Sequence, residues 1–401
     1  MAGYAIIGPA LGTKRIGATD IERYHALLLF CTAGLGLICS IFLQRPKTMQ
    51  LLMQPRLLDG SRAKYLLYSA LCGATVAIGF AAVEFQRAGG ISTLTSMSRG
   101  QRIDQMYAES EIAIPYYSAY LACYCLALGV LVHGPRPLPR NYRRAAYVIG
   151  TLTLLMAFFV LLLVKRSQLL CLIISSVVIL GMRYRGKFHL KPTILLLAIG
   201  LSFHIVGASR NYIVSLFSQT DGHIEYEKLY EPPGEFVAPA TSLFFYMKSN
   251  IRYRLGKTYI NGLLAPIPRI IYPGQKPIDI HREYSEQMAN VDEVDASRVV
   301  GLAMVPAAEA FLNFGWVGPF LVYFSYGCLL GVLIWFGARL GWFGYLAYPL
   351  LLTGTVHIAN RTPFCSWTTS IAHKLGAFTA VYVFGVILYL LASRGGSTET
   401  K

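Results

Sequence analysis

Charge is scarce in this chain: 14% of its 401 residues are Asp, Glu, Lys or Arg, where a soluble globular domain carries about 25%. That deficit, with 55% hydrophobic residues and a mean hydropathy of +0.49, excludes an ordinary water-soluble domain. Acids are scarcer than bases, 20 against 36, and the formal net charge is +16. The eight cysteines make no framework. Cys31, Cys39, Cys72, Cys123, Cys125, Cys171 and Cys328 fall inside apolar runs, where cysteine acts as a small hydrophobe. Cys365 alone is expected near the outer surface. The C-x-C of Cys123 and Cys125 puts the two thiols on opposite sides of a helix, which is no zinc spacing, and the sequence shows no metal site. Also lacking are an internal repeat and a low-complexity tail beyond "SRGGSTETK".

What the chain does have is long apolar runs. Candidate spans are 24–43, 65–85, 112–132, 147–164, 167–182, 193–209, 317–336, 341–358 and 370–392. Most approach the ~20 apolar residues needed to cross a bilayer core. Residues 1–13 are apolar but short and interrupted by Gly and Pro, and no basic region precedes them as in a signal peptide. The expectation is an all-α polytopic membrane protein with nine or ten transmembrane helices.

The cations give the orientation. Loops 44–64, 133–146 and 183–192 are rich in Lys and Arg and fall on one side if the spans alternate. With Arg339, Arg394 and Lys401, that side holds 16 cations against Asp59 and Glu399, a net of +14. The opposite side nets only +2. The positive-inside rule makes the first side cytoplasmic. The basic balance is thus a topology signal, and no nucleic-acid partner is implied. By this reading 1–209 holds the N-terminal membrane helices with a small outer loop at 86–111, 210–316 is one large, helical outer loop, and 317–401 holds the C-terminal membrane helices.

Within the large loop the stretch "PIPRIIYPGQKP", Pro266 to Pro277, is unusual. Four prolines forbid a regular helix or a central strand, so the segment can hold Arg269 and Lys276 on a stiff backbone. Upstream lies an acid followed by an aromatic, Glu235–Phe236. Downstream "AAEAFLNFGWVG" at 307–318 leads into a span, with Asn313 four residues after Glu309 and so on the same helical face.

Taken in order, these pieces resemble the Wzy-type O-antigen and repeat-unit polysaccharide polymerases of bacterial inner membranes. That family typically shows I-P-R-x-x-W-P-x-K-P; this chain has Tyr272 where tryptophan is commoner and one additional residue, Gly274 or Gln275, before the lysine. "RAGGISTL" at 87–94 and Arg166 in "VKRSQLL" also look like family features. The resemblance implies a multi-pass inner-membrane glycosyltransferase whose active site faces the periplasm. It implies a bundle resembling GT-C-like lipid-linked-sugar transferases. Donor and acceptor are then undecaprenyl-diphosphate-linked oligosaccharide repeat units, embedded among membrane lipids. The donor's diphosphate supplies the energy, so no nucleotide or other cofactor is implied, and no Gly-rich phosphate loop is visible. A chain-length co-polymerase is carried over from the family as a partner.

Such chemistry asks for cations on the departing diphosphate, a base or positioned acceptor, and a groove for two lipid-linked sugars. Arg269, Glu235 and Glu309 are the candidate catalytic residues. Lys276, Arg166, Arg210, Arg361 and Asn313 are the candidate substrate-binding residues. Arginine suits diphosphate because its planar fork reaches two oxygens at once. Cations near span ends can equally snorkel to water. Glu309 can equally tie down a loop arginine as a structural ion pair, and Glu235 can serve as an N-terminal helix charge. Two other readings stay open: an O-antigen ligase-type transferase using the same donor, and a transporter or flippase of lipid-linked oligosaccharides. Transporters tend to carry charges inside spans and inverted repeats; here the spans hold few charges.

Overall fold

The computed structural model describes residues 20–42, 58–87, 113–134, 139–162, 166–183, 242–248, 252–267, 271–272, 280, 283–284, 287, 304–358 and 363–395. Among these every regular element is a helix. In chain order they are α1 (Asp20–Phe42), α2 (Gly60–Arg87), α3 (Ala113–His133), α4 (Arg140–Leu162), α5 (Arg166–Arg183), α6 (Lys257–Leu264), α7 (Pro306–Phe314), α8 (Gly318–Arg339), α9 (Gly341–Ile358) and α10 (Phe364–Gly395).

Eight of the nine expected spans coincide with one of these helices, and the ninth, 193–209, lies outside the described residues. Among the described residues four stretches are long and apolar enough to cross a membrane: Gly60–Val83, Tyr116–His133, Pro306–Arg339 and Phe364–Ser393. The protein is an all-α membrane protein. Several helices begin earlier than hydropathy suggests. Arg140, Arg143 and Arg144 lie within α4, and Arg62 and Lys64 within α2, because a helix satisfies its own backbone and continues past the apolar run into the charged flank. Helix α7, expected inside the outer loop, runs through a single 3₁₀ turn, Gly315–Val317, into α8.

Helices α2, α3, α4, α5, α9 and α10 share one apolar core, with Tyr120, Leu66, Leu67, Leu126, Tyr345 and Phe378 among its most buried side chains. Helix α1 packs along α8. The contact is close because Gly36 and Gly327 leave no side chain at the crossing. A Cβ at Gly36 would lie 2.4 Å from the Phe320 carbonyl oxygen, and one at Gly327 would lie 1.5 Å from Ser40 Oγ. Small residues at such crossings let helix backbones approach where lipid offers no hydrophobic driving force. Exposed Leu28, Leu35 and Ile38 on α1, and Val332 and Trp335 on α8, are the apolar surface expected toward lipid.

The two ends of the bundle differ. At one end the Leu58 amide donates to the His133 carbonyl (3.1 Å), and Tyr142 Oη donates to the Gly60 carbonyl (2.9 Å). His133 and Tyr345 pack edge to face there, and Arg62 reaches Tyr382. The described parts of two cation-rich segments, 58–64 and 139–146, therefore lie together. At the opposite end, about 27 Å away along α10 from Tyr382 to Phe364 by helical rise, lie α6, α7 and the first turn of α10.

A buried polar cluster at the head of α10

Pro306 occupies the first turn of α7, where its missing N–H costs nothing, and every residue from Pro306 to Asn313 is buried. A helix this short, buried on all sides, places whatever polar group it carries inside the protein. It carries two, Glu309 and Asn313, both fully buried.

Glu309 accepts from Thr258 Oγ1 (2.8 Å) through Oε1 and from the backbone amide of Phe364 (2.7 Å) through Oε2. Phe364 opens α10, a 32-residue helix. The carboxylate thus sits on the positive end of a long helix, where an anion satisfies an amide that the helix leaves unpaired. One turn on, Asn313 Nδ2 donates to the Glu309 carbonyl (2.8 Å) and to Thr258 Oγ1 (2.7 Å). Its Oδ1 accepts from the Gly256 amide (3.0 Å). The Thr258 hydroxyl therefore receives from Asn313 and gives to Glu309.

These bonds seat α6. Gly256 at its start has φ 87°, a left-handed conformation that costs glycine little and points its amide at Asn313. Farther along, Gly262 lies against α10. A Cβ there would come within 2.7 Å of Phe364 Cδ1 and 3.1 Å of the Cys365 nitrogen. Thr368 Oγ1 donates to the Gly262 carbonyl (2.5 Å). Helix α6 thus buries Thr258 and Gly262 and exposes Ile260 and Leu263. The Arg254 and Leu255 amides donate to the Leu312 and Asn313 carbonyls, both at 3.1 Å. Arg254 also forms a two-pronged pair with Glu283, Nη1 to Oε2 at 2.8 Å. That pairing holds the Glu283 carboxyl below its ordinary value and raises the Arg254 guanidinium.

Aromatic rings enclose the cluster. Tyr259 lies parallel to Phe314 (6.0 Å between ring centres) and edge-on to Phe364 (5.3 Å). Trp367 packs on Phe364 (5.3 Å) and Tyr326 (6.3 Å). Burial, and then the charge of Glu309, raise the Tyr259 hydroxyl well above its ordinary value, so it remains a neutral donor.

Of the residues singled out from sequence, the structure thus brings Glu309 and Asn313 into one hydrogen-bonded unit. Arg166 is the first residue of α5, and its side chain lies outside the described residues, as do Arg269, Lys276, Glu235, Arg210 and Arg361. In the proline-rich stretch, Pro266 and Ile267 follow directly from α6, and Ile271 is exposed. Sequence reasoning missed Thr258, whose signal is faint: one threonine in an eight-residue helix. It also missed Lys374, a buried lysine in the interior of α10 with no ion pair among the described residues.

The fold and the buried carboxylate cluster define the class: an all-α membrane protein with a polar centre at one end of its bundle. Comparison of the chain with protein-family models, curated proteins and solved structures finds no match.

Proposed function

We propose that the protein is a polysaccharide polymerase of the Wzy type. It would transfer a growing glycan from undecaprenyl diphosphate to the non-reducing-end hydroxyl of a new lipid-linked repeat unit, at the periplasmic face of a bacterial inner membrane. The observation that carries this reading is the seating of the helix that leads into one motif on residues of the other. "AAEAFLNFGWVG" supplies Glu309 and Asn313, and the helix held on them by Thr258 and Gly256 runs straight into "PIPRIIYPGQKP". The helix that leads into one of the two stretches resembling the polymerases is thus hydrogen-bonded to the other at one end of the bundle.

In the reaction, the acceptor oxygen forms a bond to the donor's anomeric carbon as the bond from that carbon to the diphosphate oxygen breaks. The acceptor's proton passes to a base, and undecaprenyl diphosphate leaves with the bonding pair. Arg269 and Lys276, with Arg166, Arg210 and Arg361, are proposed to take up the charge on the diphosphate. Glu309 and Glu235 are the proposed acids of the site. Both Glu309 oxygens accept hydrogen bonds, which orients the carboxylate.

One observation favours the transport reading. Lys374 is buried mid-bundle against α9, its Nζ 3.7 Å from where a Cβ on Gly354 would lie. An intramembrane cation commonly marks a substrate or ion path. Deleting the gene in its source strain separates the readings. A polymerase deletion leaves surface glycan capped with a single repeat. A ligase deletion accumulates polymer on the carrier lipid, and a flippase deletion shows neither outside. Full-length surface glycan in the deletion strain would exclude the polymerase.

A further inference from the structure

Helix α6 is built inside out. Its buried side carries Thr258, hydrogen-bonded to Glu309, and Gly262, while Ile260 and Leu263 on its open side are 61% and 60% exposed. A helix that faces water turns its polar residues outward; this one turns its polar side to the protein and its apolar side away from it. The turn leading into α6 carries the same pattern further. Leu255 is 81% exposed, the most open large hydrophobic side chain among the described residues. Its φ is 48°, a left-handed conformation that leucine, unlike the glycine after it, rarely adopts. A leucine strained in this way gains nothing from its side chain in water, whereas in lipid it gains the burial of that side chain.

The depth of α6 selects what covers this face. Gly262 packs on Phe364 and Cys365, and its carbonyl accepts from Thr368. Those residues open Phe364–Ser393, a stretch long and apolar enough to cross a membrane. On the same helix, Tyr382 meets Arg62 at the opposite end of the bundle. The helical rise between Tyr382 and Phe364 is about 27 Å, close to the ~30 Å of a hydrocarbon core. Helix α6 therefore lies along the far edge of that core, level with the first turns of a span. Beside it Tyr253 packs on Gly315, the residue before Trp316, and both rings are exposed. Tyrosine and tryptophan are enriched at membrane–water interfaces. Arg252 and Lys257, both exposed, flank Leu255, whereas Arg254 between them is taken by Glu283. Exposed cations beside inserted apolar side chains suit lipid phosphates.

We propose that residues 252–264 are an interfacial membrane anchor. Leu255, Ile260 and Leu263 enter the hydrocarbon edge of the leaflet at this end of the bundle, and Arg252 and Lys257 bind the phosphates of its lipids. The anchor does not rest on the polymerase reading. Under that reading it sets the chain that enters the proline-rich stretch, Pro266 and Ile267, at the height of a lipid-linked diphosphate.

Photo-labelling of the full-length protein in phosphatidylglycerol nanodiscs tests the apolar face without any substitution. One sample contains lipid with a diazirine near the top of its acyl chain, and a parallel sample is treated with a water-soluble diazirine. Peptide mapping should find Leu255, Ile260 and Leu263 labelled by the lipid probe and spared by the soluble one, as should Val332 and Trp335 on α8. Labelling mainly by the soluble reagent would overturn the anchor by placing the face in water. Labelling by neither would also overturn it, since another part of the chain or a second copy would then cover the face. A diazirine on the headgroup reads the cations. Arg252→Gln and Lys257→Gln should each lower headgroup labelling of residues 252–257 by about fivefold. Unchanged headgroup labelling in both variants would overturn the phosphate contact. Neither sample contains glycan, so failure of the polymerase reading would leave these results standing.

Discussion

Replacing Asn313 with alanine should unseat α6. The amide side chain makes three hydrogen bonds, from the Gly256 amide (3.0 Å), to Thr258 Oγ1 (2.7 Å) and to the Glu309 carbonyl (2.8 Å). Each ordinary hydrogen bond contributes about 0.5–1.5 kcal/mol net, so the three together contribute about 3 kcal/mol. Thr258 keeps its bond to Glu309, while Gly256 loses the acceptor that fixes its left-handed turn. At about 2–4 °C per kcal/mol for a large domain, the melting temperature should fall by about 6–12 °C. Scanning fluorimetry in detergent reads this directly, and limited proteolysis should show earlier cleavage near residues 252–267. A fall of under about 2 °C with unchanged proteolysis would refute the claim that Asn313 holds α6 in place.

Three further outcomes are expected. Gly36→Val puts a branched side chain where a Cβ would already lie 2.4 Å from a backbone oxygen of α8. It should cost about 1–3 kcal/mol and lower the yield of a disulfide engineered between α1 and α8, whereas unchanged cross-linking would contradict the packing. Glu283→Gln should destabilise the protein by about 1 kcal/mol at neutral pH. Because the Glu283 carboxyl is held below its ordinary value by Arg254, its contribution is present above the unfolded value of about 4.3 and is lost as pH falls through the folded one. Wild type and variant should therefore converge in acid, and a gap that persists there would contradict the ion-pair account. Lys374→Met replaces a buried ammonium lacking an ion pair among the described residues, so stability should hold or rise. A loss above about 1 kcal/mol, read by fluorimetry, would mean that the charge is held by specific partners.

Membrane class and helix positions were legible in the sequence because a bilayer leaves few options: twenty apolar residues in a row need a helix that satisfies its own backbone. Helix starts were less legible. Arg140, Arg143 and Arg144 read as a loop by charge, yet α4 begins at Arg140. The pairing of Glu309 with Asn313 followed from their spacing alone, since residues four apart share a helical face. Their partners were invisible for a different reason. Thr258 and the Phe364 amide come from segments about fifty residues away on either side, and only the fold brings them to the carboxylate. Tyr259, Tyr326 and Trp367 were hidden because nothing in their local sequence sets them apart from the other tyrosines and tryptophans of a chain with 26 and four. Lys374 was hidden because one charge barely lowers the hydropathy of a long apolar span; its burial is a property of the bundle.

The most direct test of the central proposal is polymerisation by the purified protein. Lipid-diphosphate-linked repeat unit would be supplied without nucleotide and with EDTA present, and wild type compared with Arg269→Ala. A ladder of glycan lengths from wild type, lost in the variant, is the predicted result. No ladder from folded wild type supplied with its own repeat unit would contradict the polymerase account. A ladder of equal strength from Arg269→Ala would remove the proline-rich stretch from the chemistry.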